Sequence, residues 1–155
     1  MVPIRRILFP TDFSEHAEYA WPFALQFAQE FGAEVHLLHV VAPPPRLTEA
    51  YSLQFDPEKF AAVLTAEAHA SLDRLVQAAA KDSTIGFRPE VRIGVDFHEI
   101  IDYARKQEID LIVMATHGRT GLAHALVGSV AEKVVRKAPC PVLTVKHPTM
   151  KFEMP

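Results

Sequence analysis

Short, nearly unbroken apolar blocks alternate with longer stretches of helical periodicity along the chain, and that alternation reads as a parallel sheet covered by helices. The first block, residues 6–9, holds Ile7, Leu8 and Phe9 and stops at Pro10, where the backbone donor disappears. Ser14 can cap a following helix whose Ala17, Ala20, Trp21, Ala24, Leu25, Ala28 and Phe31 recur on one face until Gly32 closes it. Pro22 lies inside that run, so a kink or a later start is expected there. The second block, VHLLHVV at 35–41, reads as a strand buried on both faces.

Residues 42–57, with APPP, Tyr51, Phe55 and Pro57, keep no steady period and read as a surface excursion of the kind that acts as a lid. From 58 to 80, Leu64, Ala68, Leu72, Leu75, Val76 and Ala79 mark one face of a long amphipathic helix. In residues 87–95, Val91, Ile93 and Val95 alternate with polar positions, as in an edge strand with one exposed side. A short helix over 97–106 precedes IDLIVMA at 109–115, the most apolar block and the expected sheet centre. A glycine-bearing loop over 116–127 leads through Gly128 to a helix over 129–137 and a last strand over 141–146. The expectation is a doubly wound α/β domain with five parallel strands in the order 3-2-1-4-5 and four helices on both faces.

Size and charge narrow the function. The 155 residues, 49% hydrophobic and 23% charged, suit one domain over 1–147 with a loose tail over 148–155. Sixteen Lys and Arg against nineteen Asp and Glu leave a net charge of -3 and no basic face for nucleic acid. The lone Cys140, set between Pro139 and Pro141, forms no internal disulfide and reads as a buried, inert thiol in a reducing compartment, so a cytoplasmic location is expected. Residues 1–13 offer only a short apolar stretch broken by Pro3 and Pro10, so neither a signal peptide nor a membrane anchor is expected.

In a sheet of this order ligands sit beyond the carboxyl ends of the strands where the winding reverses, here between strands one and four. Pro10, Thr11 and Asp12 follow the first of these strands, and Ala115 to Gly121 follow the other, so polar and flexible groups converge on one crevice. Gly128 and Ser129 open a helix whose first amides suit phosphate, Gly118 and Gly128 allow close backbone approach, and His117 and Arg119 can add charge. Spacing alone leaves a second reading open, because Ser129 with Glu132 also forms a capping box and loop glycines are common. Asp12 likewise reads either as a partner for a ribose hydroxyl or a metal ion, or as a turn residue ahead of the first helix.

Other chemistry finds less support. Eight histidines invite a metal, yet His36 and His39 fall on opposite faces of a regular strand and no cysteine or carboxylate cluster completes a zinc set. No lysine follows Gly128 where a P-loop needs one, and no GxSxG turn presents a nucleophile.

ILFPTDFSE at 7–15, LLHVV at 37–41, IVMATHGRTGLAHALVGSVAEKVV at 112–135 and APCPVLTVK at 138–146 resemble the universal stress protein family over the whole chain. ATP-binding members of that family carry Gly, two residues, Gly, nine residues, then Gly followed by Ser or Thr. Gly118, the nine residues 119–127 and Gly128-Ser129 match, while Ala115 replaces the first glycine. Because Ala115 directly continues a strand, its methyl is expected to be harmless; a positive φ there would cost roughly 1 to 2 kcal/mol.

The resemblance implies that Pro10, Thr11, Asp12 and the backbone of Val40 line an adenosine, with Asp12 near the ribose or metal. It implies that Met114, Ala115, His117, Gly118 and Arg119 flank the phosphates and that Gly128, Ser129 and Val130 complete their cradle. Mg2+ or Mn2+ would bridge phosphate oxygens without a protein cage, and a homodimer would form through the last strand, 141–146, a short apolar edge. The leading expectation is a dimeric ATP-dependent sensor in the stress response with slow or no hydrolysis. A nucleotide-free dimeric interaction module of the same fold is the alternative, and an ATP-consuming enzyme lacks a general base among the crevice residues.

Overall fold

The computed structural model describes residues 3–43, 56–81, 83–118 and 127–149. Among these, β1 (Arg6–Pro10), α1 (Glu15–Phe31), β2 (Glu34–Val41), α2 (Pro57–Ala80), β3 (Phe87–Ile93), α3 (Asp96–Lys106), β4 (Leu111–Ala115), α4 (Ser129–Lys137) and β5 (Val142–Val145) follow in chain order. All strand pairs are parallel and the order is β3-β2-β1-β4-β5, as the alternation of blocks predicts.

Because successive strand residues point to opposite faces, each buried strand serves two cores. Ile7, Phe9, Val35, Leu37 and Val113 join Ala17, Ala20, Trp21, Ala24 and Ala28 of α1 and Leu72 of α2 on one face. Leu8, Leu38, Ile112 and Met114 join Ile100, Tyr103 and Ala104 of α3 and Ala131 and Val134 of α4 on the other. The small alanines of α1 let that helix lie close on the sheet, with Phe9 and Trp21 rings 4.9 Å apart filling the remaining width.

Four expectations change. The first helix starts at Glu15, capped by the Ser14 hydroxyl that accepts from Ala17 N–H, and runs uninterrupted to Phe31, with Gly32 in the left-handed region at φ 64°. It does not start later for Pro22, because Pro22 and Glu18, whose carbonyl loses its partner, both face solvent. The first strand includes Pro10, which pairs with Leu38 as its last residue. β1, rather than β4, is the middle strand; β4 is wholly buried because β1 and β5 flank it. The inward alternation of β3 ends at Val91, for Ile93 and Val95 are 49% and 53% exposed. There the chain leaves the ladder at Gly94, and Val95 becomes the residue preceding α3.

At 24 residues α2 is about 36 Å long, which outruns the strands it crosses. Asp56 caps it by accepting from Glu58 and Lys59 N–H, and only Ala68 and Leu72 are fully buried. Its N-terminal half therefore overhangs the carboxyl ends of the strands. The lid expected over 42–57 falls mostly in 44–55, outside the described residues, as does most of the tail expected over 148–155. No helix of the described residues is long and apolar enough to cross a membrane. Cys140 packs, half-buried, against the second core, and burial pushes its thiol above the usual range.

His36 is the most buried ionisable side chain of the sheet, at 1% exposure. Its Nε2–H donates to Glu34 at 3.3 Å, so Nδ1 accepts from the Tyr103 hydroxyl at 2.8 Å. Burial holds the imidazole below its ordinary value, outweighing the attraction of Glu34. A base depressed in the folded state binds more protons when unfolded, so its stabilising contribution is complete above about pH 6.5 and is lost as pH falls below it. Urea midpoints should drop between about pH 6.5 and 5, with a slope of at most about 1.4 kcal/mol per pH unit from this residue. A His36→Gln variant should flatten that drop, and an unchanged slope would assign it elsewhere.

Candidate functional site

The open end of the sheet holds a cleft of about 530 Å³ between the tips of β1, β2 and β4, the start of α4 and the overhang of α2. That size is ordinary for a small-molecule site, and the position is the point where the winding reverses.

The turn after β1 is tightly specified. Thr11 N–H donates to the Leu38 carbonyl at 2.9 Å, tying the turn to β2. The Thr11 hydroxyl accepts from Phe13 N–H at 3.1 Å, and Asp12 Oδ1 accepts from Ser14 N–H at 3.0 Å. These two local bonds hold Phe13 at φ 59°, a left-handed conformation costly for an aromatic residue. His39, at the end of β2, donates from Nδ1 to the Thr11 carbonyl at 2.7 Å and stacks on Phe13 at 4.6 Å. With Oδ1 committed to the turn, Oδ2 of Asp12 is turned to Gly118, where a β-carbon would come within 2.5 Å of it.

The loop after β4 meets this turn from the other side. Thr116 N–H continues the ladder to Val145 O at 3.0 Å, and its carbonyl accepts from Gly128 N–H at 2.7 Å, closing the loop at its base. His117 is buried, with Nδ1 2.9 Å from the Thr116 hydroxyl. Gly128 is the N-cap of α4 and supplies no side-chain cap, while Ser129 is the first helical residue. The capping box read from Ser129 and Glu132 is therefore absent: Glu132 N–H bonds the Gly128 carbonyl and its carboxylate pairs with Arg136 at 3.0 Å. Toward the described residues the first amides of α4 thus keep the donor capacity and partial positive charge of a helix start without a side-chain cap.

Of the residues singled out in the sequence, Pro10, Thr11, Asp12, Val40, Met114, Ala115, His117, Gly118, Gly128, Ser129 and Val130 all line the cleft. Arg119 lies outside the described residues. Ala115 is the last residue of β4, pairs with Val145 and does not have positive φ, so its methyl strains nothing. Sequence reasoning missed Phe13, His39 and Asp96, together with Leu64, Glu67, Ala68 and Ser71 of α2. The Asp96 signal was a carboxylate opening a helix directly after a strand; the α2 residues carry none, because how far that helix overhangs depends on packing.

The mouth is acidic. At its rim partial burial pushes the Asp96 carboxyl above the usual carboxylate range; His39 opposes that rise and the charge of Asp12 adds to it. Among the described residues no three His, Cys, Asp or Glu side chains are set to hold a metal ion. The cleft thus offers helix amides, a hydroxyl and close backbone approach together with the carboxylates of Asp12, Glu67 and Asp96 and apolar residues such as Val40, Leu64 and Met114, a donor set for a ligand that carries an anionic group, hydrogen-bond donors and an apolar part.

Comparison with known proteins agrees with this arrangement. The model of the Universal stress protein family matches residues 3–146. Universal stress protein MJ0531 of Methanocaldococcus jannaschii is 38% identical over 144 residues, 93% of this chain and 83% of that protein. Universal stress protein YxiE of Bacillus subtilis is 30% identical over 91% of this chain and 98% of its own length. The solved universal stress protein UspA from Lactobacillus plantarum superposes with a TM-score of 0.83 at 30% identity, over 94% of this chain and 99% of that one. Two more distant universal stress proteins share the fold: one in complex with cAMP, at 20% identity and TM-score 0.69, and one from Archaeoglobus fulgidus in complex with dAMP, at 22% and 0.62. The first covers 93% of this chain and 98% of its own, and the second covers the same shares.

Proposed function

The chain belongs to the universal stress protein family, and on that premise we propose that its cleft binds an adenine nucleotide, ATP with Mg2+ or Mn2+, as a dimeric sensor of the stress response with slow or no hydrolysis. The observation that carries this reading is the uncapped start of α4, opening into the cleft across the Asp12–Gly118 contact. Phosphate oxygens would take the amides of Ser129 and Val130 and the Ser129 hydroxyl, with Gly118 and Gly128 leaving room for them. Met114, Ala115, His117 and Arg119 would flank the phosphates. Adenosine would lie against Pro10, Thr11 and the Val40 backbone, with Asp12 accepting from a ribose hydroxyl. The cAMP and dAMP held by the distant relatives support the same ligand class.

A divalent ion would ride on the phosphate oxygens, offsetting their charge near the acidic mouth. Dimer formation would use the outer edge of β5, a terminal strand of the sheet with no described neighbour beyond it. A reducing, cytoplasmic setting rests on the single Cys140.

Titration of the purified protein with MgATP in a calorimeter should show one nucleotide per chain. Ligand at about 100 times Kd should add about 2.7 kcal/mol of stability, read as a higher melting temperature. No heat of binding and an unchanged melt in millimolar MgATP would overturn the reading in favour of a nucleotide-free interaction module.

A further inference from the structure

Behind the phosphate end of the cleft three imidazoles from separate parts of the chain meet. His16 comes from the first turn of α1, His117 from the loop after β4, and His147 from just beyond β5. The ring of His16 lies 6.0 Å from that of His117 and 5.2 Å from that of His147, with Tyr19 against His147 at 4.9 Å. Two of the three are oriented by hydroxyls, His117 by Thr116 at 2.9 Å and His147 by Thr149 at 2.7 Å. The third is not: Nδ1 of His16 is buried and has no hydrogen-bond partner among the described residues.

A buried ring nitrogen without a partner calls for an explanation. A metal does not supply it, because no three ligating side chains among the described residues are set to hold one. The remaining chemistry of the group is protonation, and imidazole is the side chain that changes charge between about pH 5 and 8. Glu15 stands 3.9 Å from His147 Nε2. Other charged side chains near these positions in the chain are Glu18 on α1, Lys146 beside His147, and Asp12, which lies against Gly118. Like charges on rings this close disfavour one another.

We propose that the His16–His117–His147 cluster takes up a proton when a polyphosphate enters the cleft, which makes nucleotide binding proton-coupled. The inference rests on the nucleotide reading above, and through it on phosphate lying against the loop that carries His117. Incoming negative charge favours the imidazolium form of that ring, and His16, its ring 6.0 Å away and holding an unused nitrogen, offers a second place for the proton. The sign follows from linkage: a ligand that raises proton affinity binds more tightly when protons are abundant, so affinity rises as pH falls through the imidazole range and levels off above it.

MgATP binding measured by calorimetry near pH 7, in buffers of high and low ionisation enthalpy, gives the number of protons exchanged. Uptake of roughly 0.3 to 0.8 proton per chain is expected, with Kd about 5- to 10-fold tighter at pH 6 than at pH 8. Uptake should vanish with adenosine, which has no phosphate, and fall by at least about half in His16→Asn, whose comparison removes the nucleotide's own protonation. His147→Gln should reduce it as well and serves if the first variant does not fold, as read by circular dichroism. MgATP binding without uptake, or with uptake equal in the wild type and both variants, overturns the inference while leaving the nucleotide reading intact. If MgATP does not bind at any pH, both fall together.

Discussion

A Gly118→Ala variant should bind MgATP about 100-fold more weakly than the wild type, a change of about 2.7 kcal/mol, while melting only about 2–4 °C lower. The small stability cost follows from what the new methyl meets. It comes within 2.5 Å of Asp12 Oδ2 and 3.5 Å of Asp12 Cγ, with no other heavy atom of the described residues, its chain neighbours aside, within 4 Å. The far end of a side chain on a half-buried turn can swing away, and among the bonds at risk is the one from Ser14 N–H to Oδ1, worth about 1 kcal/mol. Binding suffers more, because the carboxylate leaves the position from which it would meet the ribose, and the methyl occupies the approach of the phosphates. A double-mutant cycle tests this mechanism. In an Asp12→Ala background the Gly118→Ala change should cost at most about half of its effect in the wild type, since the group it collides with is gone and only the obstruction of the phosphates remains. Wild-type affinity in the single variant, or an equal loss in both backgrounds, would mean that Asp12 and Gly118 do not act as a pair.

What was legible in the sequence and what was not divide along a physical line. The strands followed from where apolar blocks begin and end, because a strand buried on both faces must be apolar nearly throughout, as VHLLHVV and LIVMA are, and their order followed from the right-handedness of crossover connections. The site residues near β1 and β4 followed from topology, because the reversal of winding fixes where loops converge whatever their sequence. Side-chain commitments were not legible. Ser129 and Glu132 have the spacing of a capping box, yet the helix begins one residue too early for Ser129 to cap it, a shift set by the Gly128 to Thr116 bond at the base of the loop. Val95 has the right period for β3 but lies past Gly94, where the chain turns into α3. His39 looked like an unmatched metal candidate, whereas its position opposite the Thr11 carbonyl makes it the tie between two strand ends. Each miss concerns a contact between segments distant in sequence or a boundary that such a contact sets, and periodicity within one segment carries no record of it.

Gly128→Ala is the harsher change, expected to destabilise the protein by about 1–3 kcal/mol, lower its melting temperature by roughly 2–12 °C and weaken MgATP binding by more than about 100-fold. The backbone there, at φ -64° and ψ 153°, suits alanine as well as glycine, so no conformational strain enters. The cost lies in contact. A β-carbon would sit 2.9 Å from the Thr116 carbonyl oxygen and 3.5 Å from His117 Cα, both main-chain atoms that no rotamer can move. Relief requires the start of α4 to back away from the tip of β4, which stretches the 2.7 Å bond from Gly128 N–H to that same carbonyl. One turn further along, Ala131 and Val134 are fixed in the core with Ile112 and Met114, so the helix cannot slide without opening that core. Strain therefore divides between a damaged core, read as lower stability without ligand, and displaced α4 amides, read as lost affinity. Ser129→Ala separates the two, since it deletes one hydroxyl and leaves the backbone in place; it should melt within about 2 °C of the wild type and bind about 5- to 10-fold more weakly. A Gly128→Ala protein that melts with the wild type and still binds MgATP would place the start of α4 away from the loop it is drawn against, and with it the phosphate site.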